Sequence, residues 1–228
     1  MIDAVLFDLD GTLADTAPDM ARTVNAMRER RGLEPVPLAQ VRPFVSRGAR
    51  GMIMSAFDIR SDHPDYAAMR EEFLDLYAGN LCVDTCLFPG MDDLLEDLES
   101  RAIGWGVVTN KFERLARPVM AGLGLGDRAA VIVGGDTCAR AKPFPDPLLH
   151  AAAAMRVDPM RTLYVGDDER DVQAARAAGM PVVAAAYGYL GDGPPPSMWG
   201  ADAVVDSPAE LHAWIRESNR EPAPGTVR

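Results

Sequence analysis

The feature that most limits this chain is a rhythm: short apolar runs that stop at turn or polar residues, separated by stretches with helical spacing. The runs cover residues 4–7, 105–108, 130–133, 162–165, 182–185 and 203–205. A strand that is apolar on both sides needs both faces covered, which a parallel sheet between two helical layers provides. The intervening segments supply those layers. Met91, Leu94, Leu95 and Leu98 fall at i, i+3, i+4 and i+7, and Phe112, Leu115, Val119, Met120 and Leu123 form a second stripe closed by Gly124. A third helix, from about Glu169 to Ala178, stops at Gly179, a good left-handed terminus. Ser207-Pro208-Ala209-Glu210 opens the last helix as a capping box with proline in its first turn. Residues 217–228 read as a tail. The fold class is α/β, a doubly wound parallel sheet.

Residues 17–85 break the rhythm. They carry helical stripes (Met20, Val24 and Met27; 52–57; Tyr66, Met69, Phe73 and Leu76) and no convincing strand. An insert directly after the first strand lies over the carboxyl ends of the strands, where open α/β sheets bind ligands. The expected organisation is a core of residues 1–16 and 86–228, with residues 17–85 as a helical lid.

Charge narrows the function. The net charge is −11, from 34 acidic and 23 basic residues, with no basic stripe, so a nucleic-acid partner is not expected. No apolar run reaches the roughly 20 residues of a membrane span, and no basic-then-apolar leader opens the chain. Three cysteines, Cys82, Cys86 and Cys138, suit a reducing compartment. A cytoplasmic location is expected. Of the 23 cations only Lys111 and Lys142 are lysine. A compact ammonium does what a planar guanidinium cannot, so both positions draw notice.

Four segments at or near strand ends carry chemistry. Asp8-Leu9-Asp10-Gly11-Thr12 follows the first strand, and its two aspartates, two apart, point the same way from extended backbone. Crowded carboxylates there call for a cation or a proton between them. Thr109-Asn110-Lys111 ends a second strand; Lys142 sits in the proline-stiffened loop Ala141-Lys142-Pro143; Gly166-Asp167-Asp168-Glu169-Arg170-Asp171 ends a third.

In this order, the four segments resemble the motifs of the haloacid dehalogenase superfamily of phosphohydrolases, and the resemblance covers nearly the whole chain. It implies a Rossmann-like core with an inserted helical cap. Within the superfamily the sequence is similar to bacterial phosphoglycolate phosphatases, through Asp10-Gly11-Thr12-Leu13-Ala14-Asp15-Thr16, Val108-Thr109-Asn110-Lys111 and Gly134-Gly135-Asp136-Thr137. It is also similar to N-acetylmuramic acid 6-phosphate phosphatases, through Val45-Ser46-Arg47-Gly48-Ala49-Arg50 and Trp199-Gly200-Ala201-Asp202. The resemblance implies that Asp8 is the nucleophile forming an aspartyl-phosphate and that Asp10 is the general acid and base. Mg²⁺ would be held by Asp8, the Asp10 backbone carbonyl and Asp167, with Asp171 steadying a water on the metal. Thr109, Asn110 and Lys142 would hold the phosphoryl oxygens, and Lys142 would also separate the carboxylates. Arg47, on a loop between two cap helices whose Gly48 would let backbone approach a ligand, would grip the rest of the substrate. The roles of Lys111, Arg50 and Asp168 stay open.

The expected partner is a small phosphomonoester; the oligomeric state is not read. A phosphosugar mutase shares the motifs. A dehalogenase fits poorly with Asp10 present, and a non-catalytic binding module fits poorly with all four motif residues intact. The Gly122-Leu123-Gly124-Leu125-Gly126 repeat ends a helix and does not follow a strand, which argues against a dinucleotide site. Cys82 and Cys86 have no other ligands nearby in sequence to complete a metal site.

Overall fold

A computed structural model describes residues 1–220. In chain order, β1 (Ala4–Phe7) and the two-residue β2 (Ala14–Asp15) lead into α1 (Ala17–Glu29), α2 (Leu38–Val41), a 3-10 turn (Arg42–Arg47), α3 (Gly48–Phe57) and α4 (Tyr66–Ala78). The chain returns through β3 (Cys86–Leu87) to α5 (Met91–Ser100), β4 (Gly104–Val108), α6 (Glu113–Gly122), β5 (Ile132–Val133) and α7 (Asp146–Met155). It closes with β6 (Thr162–Gly166), α8 (Glu169–Ala178), β7 (Val182–Ala185), β8 (Ala203–Val205) and α9 (Pro208–Ser218).

Among the described residues, six strands form one sheet in the order β5-β4-β1-β6-β7-β8, and every pair is parallel. β1 is central, with Val5 opposite Trp105 on one side and Leu163 on the other. The period-two alternation of side chains then sorts the core. Val5, Phe7, Trp105, Val107 and Val165 pack with α5, α6 and α9 on one face. Leu6, Val108, Tyr164 and Val182 pack with α7 and α8 on the other. This is the α/β doubly wound sheet expected from the apolar runs.

Four local details differ from the sequence reading. β5 is shorter than 130–133, although Ala130 N–H and Val131 C=O still bond to Trp105 and Val107. In α9, Ser207 accepts the Glu210 N–H as expected, but the Glu210 carboxylate caps Asp206 N–H. Glu217 and Ser218 continue that helix, and the rest of the proposed tail beyond 220 lies outside the described residues. Fourth, β2 and β3 pair antiparallel where the chain leaves the sheet and returns. Two-residue strands are too short to show a period.

Helices α1, α3 and α4 share a separate apolar cluster of Met20, Val24, Met27, Met52, Ile53 and Phe73. Leu115 of α6 and Tyr189 of the loop after β7 join it, so these helices rest on the carboxyl ends of the strands. No helix among the described residues is long and apolar enough to cross a membrane.

Candidate active site

Parallel strands deliver their carboxyl ends to one edge, and β1, β4 and β6 are neighbours there. Asp8 follows β1, Thr109 follows β4, and Asp167 follows β6. Asp171 lies one turn into α8, where its carboxylate and that of Asp168 complete a capping box. Carboxylate oxygens of Asp8, Asp167 and Asp171 all lie within 4.8 Å of one another, and all three residues are buried.

Lys142 is the counter-charge. Its Nζ lies 2.7 Å from Asp171 and 3.1 Å from Asp8, and it donates to Val108 C=O at 3.0 Å and Tyr164 OH at 2.8 Å. Burial alone would push this ammonium down, but Asp171 and Asp8 hold it above its ordinary value. One lysine does not neutralise three carboxylates. Burial drives the Asp8 carboxyl up to about 6 against the pull of Lys142, with Asp171 and Asp10 adding to the rise. Burial, then Asp8 and Asp171, drive Asp167 well above the carboxylate range. Such a group fits a hard divalent cation, which takes oxygen ligands and supplies the missing positive charge. The backbone is shaped for it. Gly11 has φ of +86°, and a Cβ there would run into the Asp167 carboxylate.

Asp10 is held differently. Thr16 Oγ1 donates to it at 2.6 Å, and Lys111 Nζ donates to both its oxygens at 2.8 and 3.0 Å. Asp8 and Asp10 line one cavity of about 260 Å³ together with Thr109, Lys111, Lys142 and Asp171. The Thr109 hydroxyl accepts the Lys111 N–H at 3.2 Å and donates to no protein group among the described residues, leaving its proton for a ligand oxygen.

Three expectations change here. Asn110 lines the cavity, but its amide is engaged within the protein. Its Nδ2 donates to Lys142 C=O and its Oδ1 accepts Lys142 N–H, both at 3.0 Å, so it fixes the lysine loop. Arg47 lines the cavity but is paired with Asp192 and stacked over Phe44. The segment around it is no loop. Arg42–Arg47 is a 3-10 turn running into α3, and Gly48 serves its φ of +59° while a Cβ there would meet nothing within 4 Å. Arg50 lines the same cavity with no carboxylate partner among the described residues. Asp168, left open by sequence, caps α8 and pairs with Arg170, which donates to Ser46 C=O of the inserted segment at 2.8 Å.

Sequence reasoning missed several groups. Asp167 accepts from Thr12 Oγ1 at 3.1 Å, Tyr189 N–H at 2.7 Å and Ser46 Oγ at 3.1 Å. Tyr164 OH donates to Val108 C=O at 2.8 Å beside Asp171. A tyrosine inside a fully buried strand was the one signal available, because its hydroxyl must find a partner.

Residues 5–185 match the haloacid dehalogenase-like hydrolase family. A phosphoglycolate phosphatase of Xanthomonas campestris pv. campestris is 52% identical over 209 residues, covering 91% of this chain and 94% of its own. An N-acetylmuramic acid 6-phosphate phosphatase of Pseudomonas aeruginosa is 45% identical over 210 residues, covering 92% of this chain and 93% of its own. The solved structure of a predicted phosphoglycolate phosphatase from Haemophilus somnus superposes with a TM-score of 0.81 at 27% identity, covering 94% of this chain and 98% of that one.

Proposed function

The chain belongs to the haloacid dehalogenase-like hydrolases, and on that premise we propose that it is a Mg²⁺-dependent phosphatase of a small, carboxylated phosphomonoester of the 2-phosphoglycolate type. The observation that carries this reading is the gathering of Asp8, Asp167 and Asp171 around Lys142, with Asp10 lining the same cavity. Asp8, Asp167 and the Asp10 backbone carbonyl would hold the ion, which supplies positive charge to the phosphoryl oxygens and to the acidic cluster.

An Asp8 carboxylate oxygen attacks phosphorus, the bond to the ester oxygen breaks, and the Asp10 carboxyl gives that oxygen its proton. Water then attacks the aspartyl-phosphate, Asp10 takes up the water proton, and the bond between phosphorus and Asp8 breaks to free phosphate. Lys142 and the Thr109 hydroxyl bind the transferring oxygens, and Asp171 and Asn110 keep Lys142 in place. Residues 17–85 act as the cap that closes over the leaving group. Phosphoryl transfer depends mainly on such positioning and charge neutralisation.

A second substrate, N-acetylmuramic acid 6-phosphate, is favoured by the cavity. About 260 Å³, lined in part by Tyr66, Phe73, Leu74 and Phe112, is roomy for a two-carbon acid. The test is phosphate release from 2-phosphoglycolate, N-acetylmuramic acid 6-phosphate and hexose phosphates, with and without Mg²⁺. Metal-dependent release supports the reading. Isomerisation of hexose phosphates with little free phosphate would replace it with a mutase.

A further inference from the structure

Two polar groups in the cavity wall have no part in the steps above. Lys111, whose side chain is 6% exposed, gives two N–H donors to Asp10 and sits 4.7 Å from the centre of the Tyr77 ring. An ammonium carries three donors; with two on Asp10, the third is turned to the Tyr77 side of the cavity, where Nζ lies over the ring. Tyr77 reaches the cavity from α4, on the inserted side, and is 1% exposed. Its hydroxyl proton has no acceptor among the described residues. A buried hydroxyl left unpaired is costly, and native structures rarely keep one without a use.

The two groups are chemically matched. Lys111 brings the charge of a buried ammonium already seated on Asp10, and Tyr77 brings a neutral hydroxyl donor. One charged and one neutral donor side by side suit an anion with two acceptor oxygens, which is a carboxylate. Their place also fixes where that carboxylate lies. An ester oxygen taking the Asp10 proton lies within about 3 Å of that carboxyl, so Lys111 Nζ is within roughly 6 Å of it. In an ester whose oxygen-bearing carbon also carries the carboxylate, the two are separated by about 3 Å, set by standard bond lengths. A carboxylate on the far side of a sugar ring does not reach.

We propose that Lys111 and Tyr77 form a carboxylate subsite for the leaving group, selecting phosphate esters in which the ester-bearing carbon itself carries the carboxylate. This rests on the phosphatase reading and chooses, within it, the 2-phosphoglycolate type over the sugar phosphate. It also moves specificity from the cap arginines to a contact that spans sheet and insert. Arg50, on the same cavity, is the rival anchor for a more distant carboxylate.

The test compares wild type, Tyr77→Phe and Arg50→Ala on 2-phosphoglycolate, on 2-hydroxyethyl phosphate, which has an alcohol in place of the carboxylate, and on N-acetylmuramic acid 6-phosphate. Tyr77→Phe keeps the ring stacked on Phe73, and its unliganded melting temperature is expected to be no lower than that of wild type. Its selectivity, kcat/KM for 2-phosphoglycolate divided by that for 2-hydroxyethyl phosphate, is expected to fall about tenfold, with KM for 2-phosphoglycolate carrying most of the change. Unchanged selectivity in Tyr77→Phe overturns the subsite, as does a fall found only in Arg50→Ala with N-acetylmuramic acid 6-phosphate as the preferred substrate. Wild type that releases phosphate from none of the three overturns the phosphatase reading and the subsite with it.

Discussion

At the scale of single residues, Lys142 is held on several sides at once. Its side chain is 2% exposed and its Nζ lies between Asp8 and Asp171. A guanidinium is larger and planar and has no room there. Lys142→Arg is expected to lower kcat by about 10²-fold or more, the scale on which one preorganised charge-stabilising group acts. A rate near wild type in steady-state assays would separate Lys142 from catalysis. Asp10→Asn is expected to abolish turnover of alkyl phosphates while sparing aryl phosphates, whose leaving groups depart without a proton; equal losses on both would remove Asp10 as the general acid. These two residues were legible in the sequence for different reasons. Lys142 stood out because nearly every other cation is arginine, and Asp10 because it pairs with Asp8 at a strand end. Tyr77 and Tyr164 were not legible. In a helical stripe or an apolar run, tyrosine reads as one more core aromatic, and the partner of its hydroxyl is decided by residues distant in sequence.

At the scale of elements, the two passages between sheet and insert are joined by one carboxylate. Asp19, in the first turn of α1, accepts from Val83 N–H, Asp84 N–H and Thr85 N–H at 3.0, 2.8 and 3.3 Å, and from Thr85 Oγ1 at 2.7 Å. Arg22 also pairs with it. Asp19 is fully buried, and although burial would raise its carboxyl, the Thr85, Asp84 and Val83 bonds and Arg22 hold it below the ordinary range. Asp19→Ala would leave the two buried Thr85 donors and two half-buried N–H groups unpaired, and is expected to cost about 3 kcal/mol in urea unfolding. A carboxyl held low in the fold stabilises above its unfolded pKa, about 4, and loses that contribution as pH falls through the folded value. The gap between wild type and variant should therefore narrow in acid; a gap that does not change with pH would show that Asp19 acts by packing alone. The sequence reading placed most of the helices and the central strands because their apolar patterns run for four or more residues; α2, a single turn, and α7, rich in alanine, show no such stripe. It missed the β2–β3 pair and the Asp19 clasp because each rests on a few residues meeting across more than 60 positions of chain.

At the scale of the whole molecule, an acidic chain concentrates buried acids at one edge of its sheet. Asp8 and Asp167 bind protons more tightly in the fold than in the unfolded chain. The metal-free protein should therefore lose stability as pH rises above about 4 and through about 6, where Asp8 ionises, with Asp167 adding to the loss. A divalent cation that takes the place of those protons binds better at higher pH. The rise in melting temperature on adding Mg²⁺ should be larger at about pH 7.5 than at about pH 5, with about 2.7 kcal/mol at a hundred times Kd; equal rises would detach the carboxylates from the metal. The most direct measurement is phosphate release from 2-phosphoglycolate in Mg²⁺ by wild type and by Asp8→Asn, each checked for folding by its melting curve. If Asp8 is the nucleophile, the folded variant is slower by at least roughly 10³-fold. A folded Asp8→Asn protein that works within tenfold of wild type would contradict the account.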